Sequence, residues 1–449
     1  MLKFYSNFLK NYNDFAKISG NRTGILNQTQ IPISNHDHDI KLKSITGSLP
    51  SYHQQVVATD SEVNYHIIGY SNDYGESLAR YTGESVERYA GITSHIFFDE
   101  EIIYESYENF SQKNNTIPFE LIQVFSPEQI KGQNDFSYSA CEKIIERKDI
   151  IGWVKCYSLF NKGEIYVPAQ MLLLGYLPSQ KENEYLYVPS FSTGTASHRS
   201  FEKALENALI EYIQIDSMMI SWYTSKKCKR IIIDDNEILT LLEKCNLGKD
   251  SPYEVIPIEM TIDSSSPVHT FGVILKNKKG EGPNILFGVQ GGLNPKKTII
   301  RGIMEAASIS YGFYYNMLYN NVEKQNILSD NPRFLDLDSN VFYYSHPKDG
   351  KKKWKIFDEL ISSETVMLSD LNNNEFVGLK GILEYLKSIA PNSVILNITP
   401  PELDDKNWHV LRILCPDLLE MCIPDFPFKN HPRMKKYGGV KNRYAHPLP

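Results

Sequence analysis

The stretch GESVERYAG, residues 83–91, sets Glu84, Glu87 and Arg88 beside Val86 and Tyr89. Residues 76–90 read as a helix at about 100° per residue. Arg80, Glu84, Glu87 and Arg88 then share one arc of about 100°, and Leu78, Ala79, Thr82, Val86 and Tyr89 take the opposite side. A second helix is expected in SFEKALENALIEYIQIDSMMI, residues 200–220. Its apolar face is Leu205, Ala208, Leu209, Tyr212 and Ile213. Lys203, Asn207, Glu211 and Gln214 follow the i, i+4, i+8, i+11 spacing of a polar stripe, with Glu202 outside it. Ser200 is the expected N-cap, with Ser197 competing.

Ordinary solvent faces would account for both stripes. However, both helices follow glycine-bearing turns, NDYGE and STGTASHRS, that can admit a ligand to backbone amides. The stripes are rich in Glu, Gln and Asn. Such oxygens suit Mg2+ bound together with phosphate oxygens and water. Arg80 and Arg88 would then neutralise those phosphates with forked donors. A third element, GVQGGLNPKKTIIRGIMEAA (288–307), places Arg301 and Glu305 one turn apart after a Gly-Gly turn. By itself such a pair is ordinarily a surface ion pair. No GxxxxGK[ST] occurs, so any nucleotide site is not a P-loop.

Working outward, VNYHIIGYS (63–71), HIFFDEEIIYES (95–106), the start of GEIYVPAQMLLLGY (163–176), NEYLYVPSFSTGTASHRS (183–200), CKRIIIDD, FGVILKN, NILFGVQGG, NSVILNITP and WHVLRILCP read as strands. Helices are expected to about Tyr89, from near Ser200, and over about 296–320. Residues 1–60 are polar and turn-rich and are expected to form an irregular arm. The mixture predicts an α/β (α+β) fold, with mixed sheets and packed helices. The expected division is 1–64 as arm and lead-in and 65–449 as the main body.

The 449 residues carry 47 basic and 54 acidic side chains, a net charge of −7 that disfavours nucleic acid as a partner. Lys351 to Lys353 read as a solvated loop. His36 and His38, without further ligands nearby, read as polar surface. The six cysteines form no CxxC, so neither a zinc finger nor a disulfide scaffold is expected. The N-terminus lacks an apolar signal core, and no run of about 18 apolar residues exists, so a cytoplasmic chain without a membrane span is expected.

The motifs ESVER after a Gly-containing turn, STGTASHRSFEKALENALIEYIQID, and GGLNP…IIRGIMEAA, in this order, resemble the YcaO family over roughly 65–449. SGNRTGILNQ and ITGSLPSYH extend the resemblance to the cyclodehydratase subunits of streptolysin S-like toxin clusters. That resemblance implies a non-P-loop site for ATP and Mg2+. Glu84, Glu87, Glu211 and Gln214 would hold the metal. Arg80, Arg88, Lys203, Asn207 and Arg301 would hold the nucleotide. AHPLP (445–449) is similar to the family's proline-rich end, which implies that the Pro449 carboxylate acts in cyclisation. Arg80, Lys203 and Ile215 depart from commoner Ser, Glu and Arg, which implies a retuned or weakened site.

The implied activity converts Cys, Ser or Thr of a ribosomally made precursor peptide to thiazoline or oxazoline. Formation of thioamides or amidines, and a non-catalytic docking scaffold, are the alternatives. The implied partners are the precursor peptide, a separate E1-like (ocin-ThiF-like) leader-binding protein and an FMN-dependent azoline dehydrogenase. A homodimer is also possible.

Overall fold

Asp73 opens the helix that carries ESVER. Its carboxylate accepts the N–H groups of Gly75 (2.8 Å) and Glu76 (3.0 Å), satisfying two donors that the first turn leaves free. The computed structural model describes residues 7–20, 24–26, 28–32, 39–52, 66–130, 140–319, 327–329, 332–334 and 336–449. His36 and His38 lie outside the described residues.

In chain order the principal elements are α1 (Asn7–Ala16), β1 (Lys43–Ser48), β2 (His66–Ser71), α2 (Tyr74–Phe98), β3 (Ile103–Ser106), β4 (Ile150–Ser158), β5 (Glu164–Pro168), β6 (Thr195–His198), α3 (Phe201–Tyr223), β7 (Cys228–Ile232), α4 (Asn236–Lys244), β8 (Tyr253–Glu259), β9 (His269–Asn277), β10 (Ile285–Gly292), α5 (Pro295–Tyr319), α6 (Ser339–Ser345), α7 (Gly350–Asp358), β11 (Ile361–Met367), α8 (Gly378–Ile389), β12 (Val394–Asn397) and β13 (His409–Leu414).

Among the described residues three sheets form, so the expected mixed architecture holds. One runs β3-β4-β12-β13-β6, with β5 also on β4; a second runs β10-β9-β8-β7-β11; the third is the pair β1-β2. Pairing is antiparallel except between β7 and β11. Helix α3 packs on β6 and β13 of the first sheet and on β9 and β10 of the second. This placement explains its two halves. Up to Glu211 it is amphipathic; from Tyr212 to Tyr223 every residue is buried. Ile215 belongs to that buried half, so its departure from the commoner Arg is a packing choice.

Four sequence expectations need correction. HIFFDEEIIYES is not one strand. Helix α2 continues to Phe98, and only Ile103–Ser106 is extended. Ala90–Ser94 are buried on all sides, so the apolar run there extends a helix. Residues 183–190 form no strand, because side chains satisfy the local backbone instead. Glu184 accepts the N–H of Gly152 and of Ser179, while Gln170 accepts those of Tyr187 and Val188. Residues 1–60 are not wholly irregular, since they supply α1 and β1. Finally, Lys351–Lys353 lie in α7, and Lys353 is buried with its ammonium on the carbonyls of Tyr343 and His346. All six cysteines are free and buried. No helix among the described residues is long and apolar enough to cross a membrane.

Candidate active site

The first wall of the site is α2. Gly69 of β2 lies so close to it that a Cβ there would sit 2.1 Å from the Ser77 carbonyl oxygen. This contact buries Leu78, Tyr81, Thr82, Ser85 and Val86 and turns the polar arc outward. Arg80, Glu84, Glu87 and Arg88 are half-buried there. The Arg88 Nε donates to Glu84 Oε1 at 2.8 Å, whereas Glu87 accepts no hydrogen bond from the described residues.

The second wall is α3. Ser200 caps it, accepting the Lys203 N–H at 3.4 Å. Ser197 instead donates to the Gly83 carbonyl at 2.7 Å and so ties β6 to α2. Gly194 has φ of +83°, and a Cβ there would meet the Ile413 carbonyl at 2.5 Å and the Tyr212 ring at 2.6 Å. The turn it makes aims its N–H at Glu211 Oε2, 3.2 Å away. The glycine therefore serves a carboxylate of the chain itself.

Sequence reading missed the residue that braces this turn. Arg412 of β13 is 1 % exposed and donates to the carbonyls of Leu172, Met171 and Thr193. An isolated Arg inside an apolar strand offered only a burial cue. Its charge also reaches Glu87 and Glu211.

Electrostatics shows that the two walls face each other. Burial, followed by repulsion from Glu84, pushes the Glu87 carboxyl well above the ordinary range; Glu211 adds to this, and Arg88 and Arg412 oppose it. Burial pushes Glu211 up to about 7, against the pull of Arg88 and with a further push from Glu84. Burial works against the charge on Arg88, but Glu84, Glu87 and Glu211 outweigh it and hold the guanidinium charged. Glu84, Glu87, Arg88 and Glu211 each keep one face open to solvent, as cleft walls do.

The third element joins them. Arg301 of α5 is exposed yet held below its usual range, first by the surrounding protein and then by Arg80. Its guanidinium has no ion-pair partner among the described residues. Arg301 and Glu305, one turn apart, form no ion pair with each other. Glu305 accepts from Gln290 Nε2 at 2.9 Å and is pushed by burial to about 7. Gln290 Oε1 is buried without a partner. Tyr70 feels Glu305, Arg80, Arg301 and Glu84 together, which places α5 beside the polar arc of α2.

The remaining candidates separate. Arg80 pairs with Glu76 at 2.6 Å and Lys203 with Glu206 at 2.8 Å, so both charge departures are balanced locally. Asn207 is exposed, with no hydrogen bond among the described residues. Gln214 does not present its oxygen to the carboxylates. Strand β10 is a sheet edge, and Gln214 fills that edge, accepting the Gly291 N–H at 2.7 Å and donating to the Val289 carbonyl at 3.0 Å. Both polar atoms of its amide are thus engaged by β10. Pro449 is the exposed end of a docked segment. Ala445, His446 and Leu448 are buried, and Asn340 donates to the carbonyls of His446 and Leu448. The docked segment lies by Trp222 and Tyr223, about 16 Å along α3 from Glu211.

Among the described residues, no three His, Cys, Asp or Glu side chains stand close enough to share a metal as they lie. The donor chemistry nevertheless fits Mg2+ with a polyphosphate. Carboxylates that repel one another face guanidiniums that do the same, and Mg2+ draws much of its coordination from phosphate and water.

A family model described as YcaO cyclodehydratase, ATP- and Mg2+-binding, matches residues 68–419. The chain belongs to the YcaO family. Solved structures of similar fold include a heterocyclase in complex with substrate and cofactor, with a TM-score of 0.70 at 14 % identity, over 99 % of this chain and 57 % of that one. YcaO from Methanopyrus kandleri, bound with AMPPCP and Mg2+, gives 0.59 at 15 % over 92 % and 91 %. A chain of the E. coli microcin synthetase McbBCD complex gives 0.60 at 15 % over 94 % and 96 %. This YcaO chain thus spans a little over half the length of the first of these. No curated protein sequence matches it significantly.

Proposed function

We propose that this YcaO chain is the ATP-dependent cyclodehydratase subunit of a toxin- or bacteriocin-type pathway of the streptolysin S-like kind. The observation that carries the reading is the facing of Glu84, Glu87 and Glu211 across two helices, with Arg88 between them and Arg80 and Arg301 alongside. A Cys, Ser or Thr side chain of the precursor attacks the preceding amide carbonyl, giving a hemiorthoamide. The nucleotide, when bound, supplies the phosphoryl group that makes the former amide oxygen a leaving group, and loss of phosphate leaves the azoline. The protein's share is positioning and charge neutralisation.

Glu84, Glu87 and Glu211 hold Mg2+. Arg88, Arg301, Arg80, Lys203 and Asn207 hold the nucleotide, and Pro449 presents a proton-accepting carboxylate. A separate E1-like protein delivers the precursor by its leader, and an FMN-dependent dehydrogenase oxidises the azolines. The setting is the cytoplasm, with a homodimer as the assembly. The test is to incubate the chain with the genomic partner, precursor peptide, ATP and Mg2+ and to read the peptide mass. Loss of one water per modified residue supports cyclodehydration. A mass change from sulfide or amine incorporation replaces it with the thioamide or amidine reaction, and an unchanged mass with no ATP consumed defeats it.

A further inference from the structure

Helix α1 touches α2 at its first turn and the residue that leads into the cap of α3. Asn11 Nδ2 donates to the Gly75 carbonyl at 2.6 Å, at the start of α2. The Phe15 ring lies 6.3 Å from that of Tyr81 on the same helix. Asp14 pairs at 2.9 Å with Arg199, the residue just before the Ser200 cap of α3. Arg199 also sits over the Trp408 ring at 4.0 Å and donates to the Lys406 carbonyl, in the connection from β12 to β13. Tyr89 of α2 returns to the same connection by donating to Glu402. The pair is half-buried, at 29 % and 27 % side-chain exposure, so solvent screens it only in part.

We infer that Arg199 is a positioning residue for the nucleotide site, and that α1, through Asp14 and Asn11, is the strap that sets how α2 and α3 stand relative to each other. This rests on the reading of the cleft as an ATP–Mg2+ site. Glu84 and Glu87 stand on one of these helices and Glu211 on the other, so a cation held between them is sensitive to a displacement of about 1 Å. The charges acting most strongly on Glu87, Arg88 and Glu211 are one another, Glu84 and Arg412. Asp14 and Arg199 therefore act through geometry.

The experiment measures Mg2+–ATP binding by calorimetry on the full chain, with melting temperature alongside. The variants are Asp14→Asn, Asp14→Arg, Arg199→Asp and the double swap Asp14→Arg with Arg199→Asp. Each single variant is expected to weaken binding about fivefold, with the dependence on Mg2+ concentration moved to higher values, and the swap to regain most of the loss. Asp14→Asn removes only a charge from a half-exposed site and keeps a folded comparison. Wild-type binding together with equal binding by the single variants overturns the strap alone, as does a swap whose losses simply add. A wild-type chain that binds no Mg2+–ATP overturns the site reading and the strap with it.

Discussion

The acidic and the basic sides of the cleft are strained in opposite senses. On the acidic side, burial and mutual repulsion drive Glu87 and Glu211 toward their neutral forms. On the basic side, the surrounding protein and the neighbouring Arg80 draw Arg301 below its usual range. Relief across the cleft is incomplete: Arg88 and Arg412 pull Glu87 and Glu211 down, and Glu305 and Glu76 pull Arg301 up, without cancelling either shift. A cation against the first and a polyphosphate against the second would relieve both, which is the physical content of a site built for their complex.

The largest expected effect comes from removing the acidic side. Glu84→Ala, Glu87→Ala or Glu211→Ala should lower ATP-dependent dehydration by about a thousandfold or more, read by peptide mass and phosphate release. On the basic side, Arg301→Ala should lower kcat/KM for ATP by about a hundredfold, with Arg301→Lys recovering only part, because a fork is replaced by a point charge.

The third outcome is a pH dependence. The folded chain binds protons at Glu87 and Glu211 more tightly than the unfolded chain does. The Glu211 contribution to stability is therefore favourable at low pH and is lost as pH rises from the ordinary carboxylate value of 4.5 through about 7, and Glu87 contributes in the same sense. Histidines held neutral by burial, such as His431 and His446, act in the opposite sense over the same window. The melting-temperature difference, wild type minus Glu211→Gln, should therefore fall as pH rises across it, and saturating Mg2+–ATP should remove that fall. A smaller effect is expected at Gln214. Gln214→Met should cost about 2 kcal/mol of stability by leaving the β10 edge unpaired, with Mg2+ affinity unchanged. Lys203→Ala, which removes a solvent-exposed charge from the nucleotide side, should raise KM for ATP by about threefold, the smallest effect of the nucleotide-holding set.

The two polar stripes were legible because burial of the opposite face enforces the helical period. Leu205, Ala208, Leu209, Tyr212 and Ile213 are all buried, as their spacing required. That the stripes face each other was not legible from periodicity, which carries no information about which helix meets which. Gln214 shows the limit clearly. It continues the i, i+4, i+8, i+11 series, yet at its level the helix has passed between two sheets, and the nearest need is an open strand edge. Arg412 was invisible for a related reason: its ligands are carbonyls from distant turns, and carbonyls leave no trace in side-chain identity. Glu84, Glu87 and Arg88 were easier to read because their neighbours in sequence are also their neighbours in space.

The buried half of α3 also governs the order in which the molecule can assemble. A helix buried on every side draws its stability from what packs around it, so Tyr212–Tyr223 must wait for both sheets to close around it. One of its supports, β13, comes from residues 409–414, about two hundred positions downstream. During synthesis the carboxylate of Glu211 therefore gains its fixed place only after that distant strand has left the ribosome.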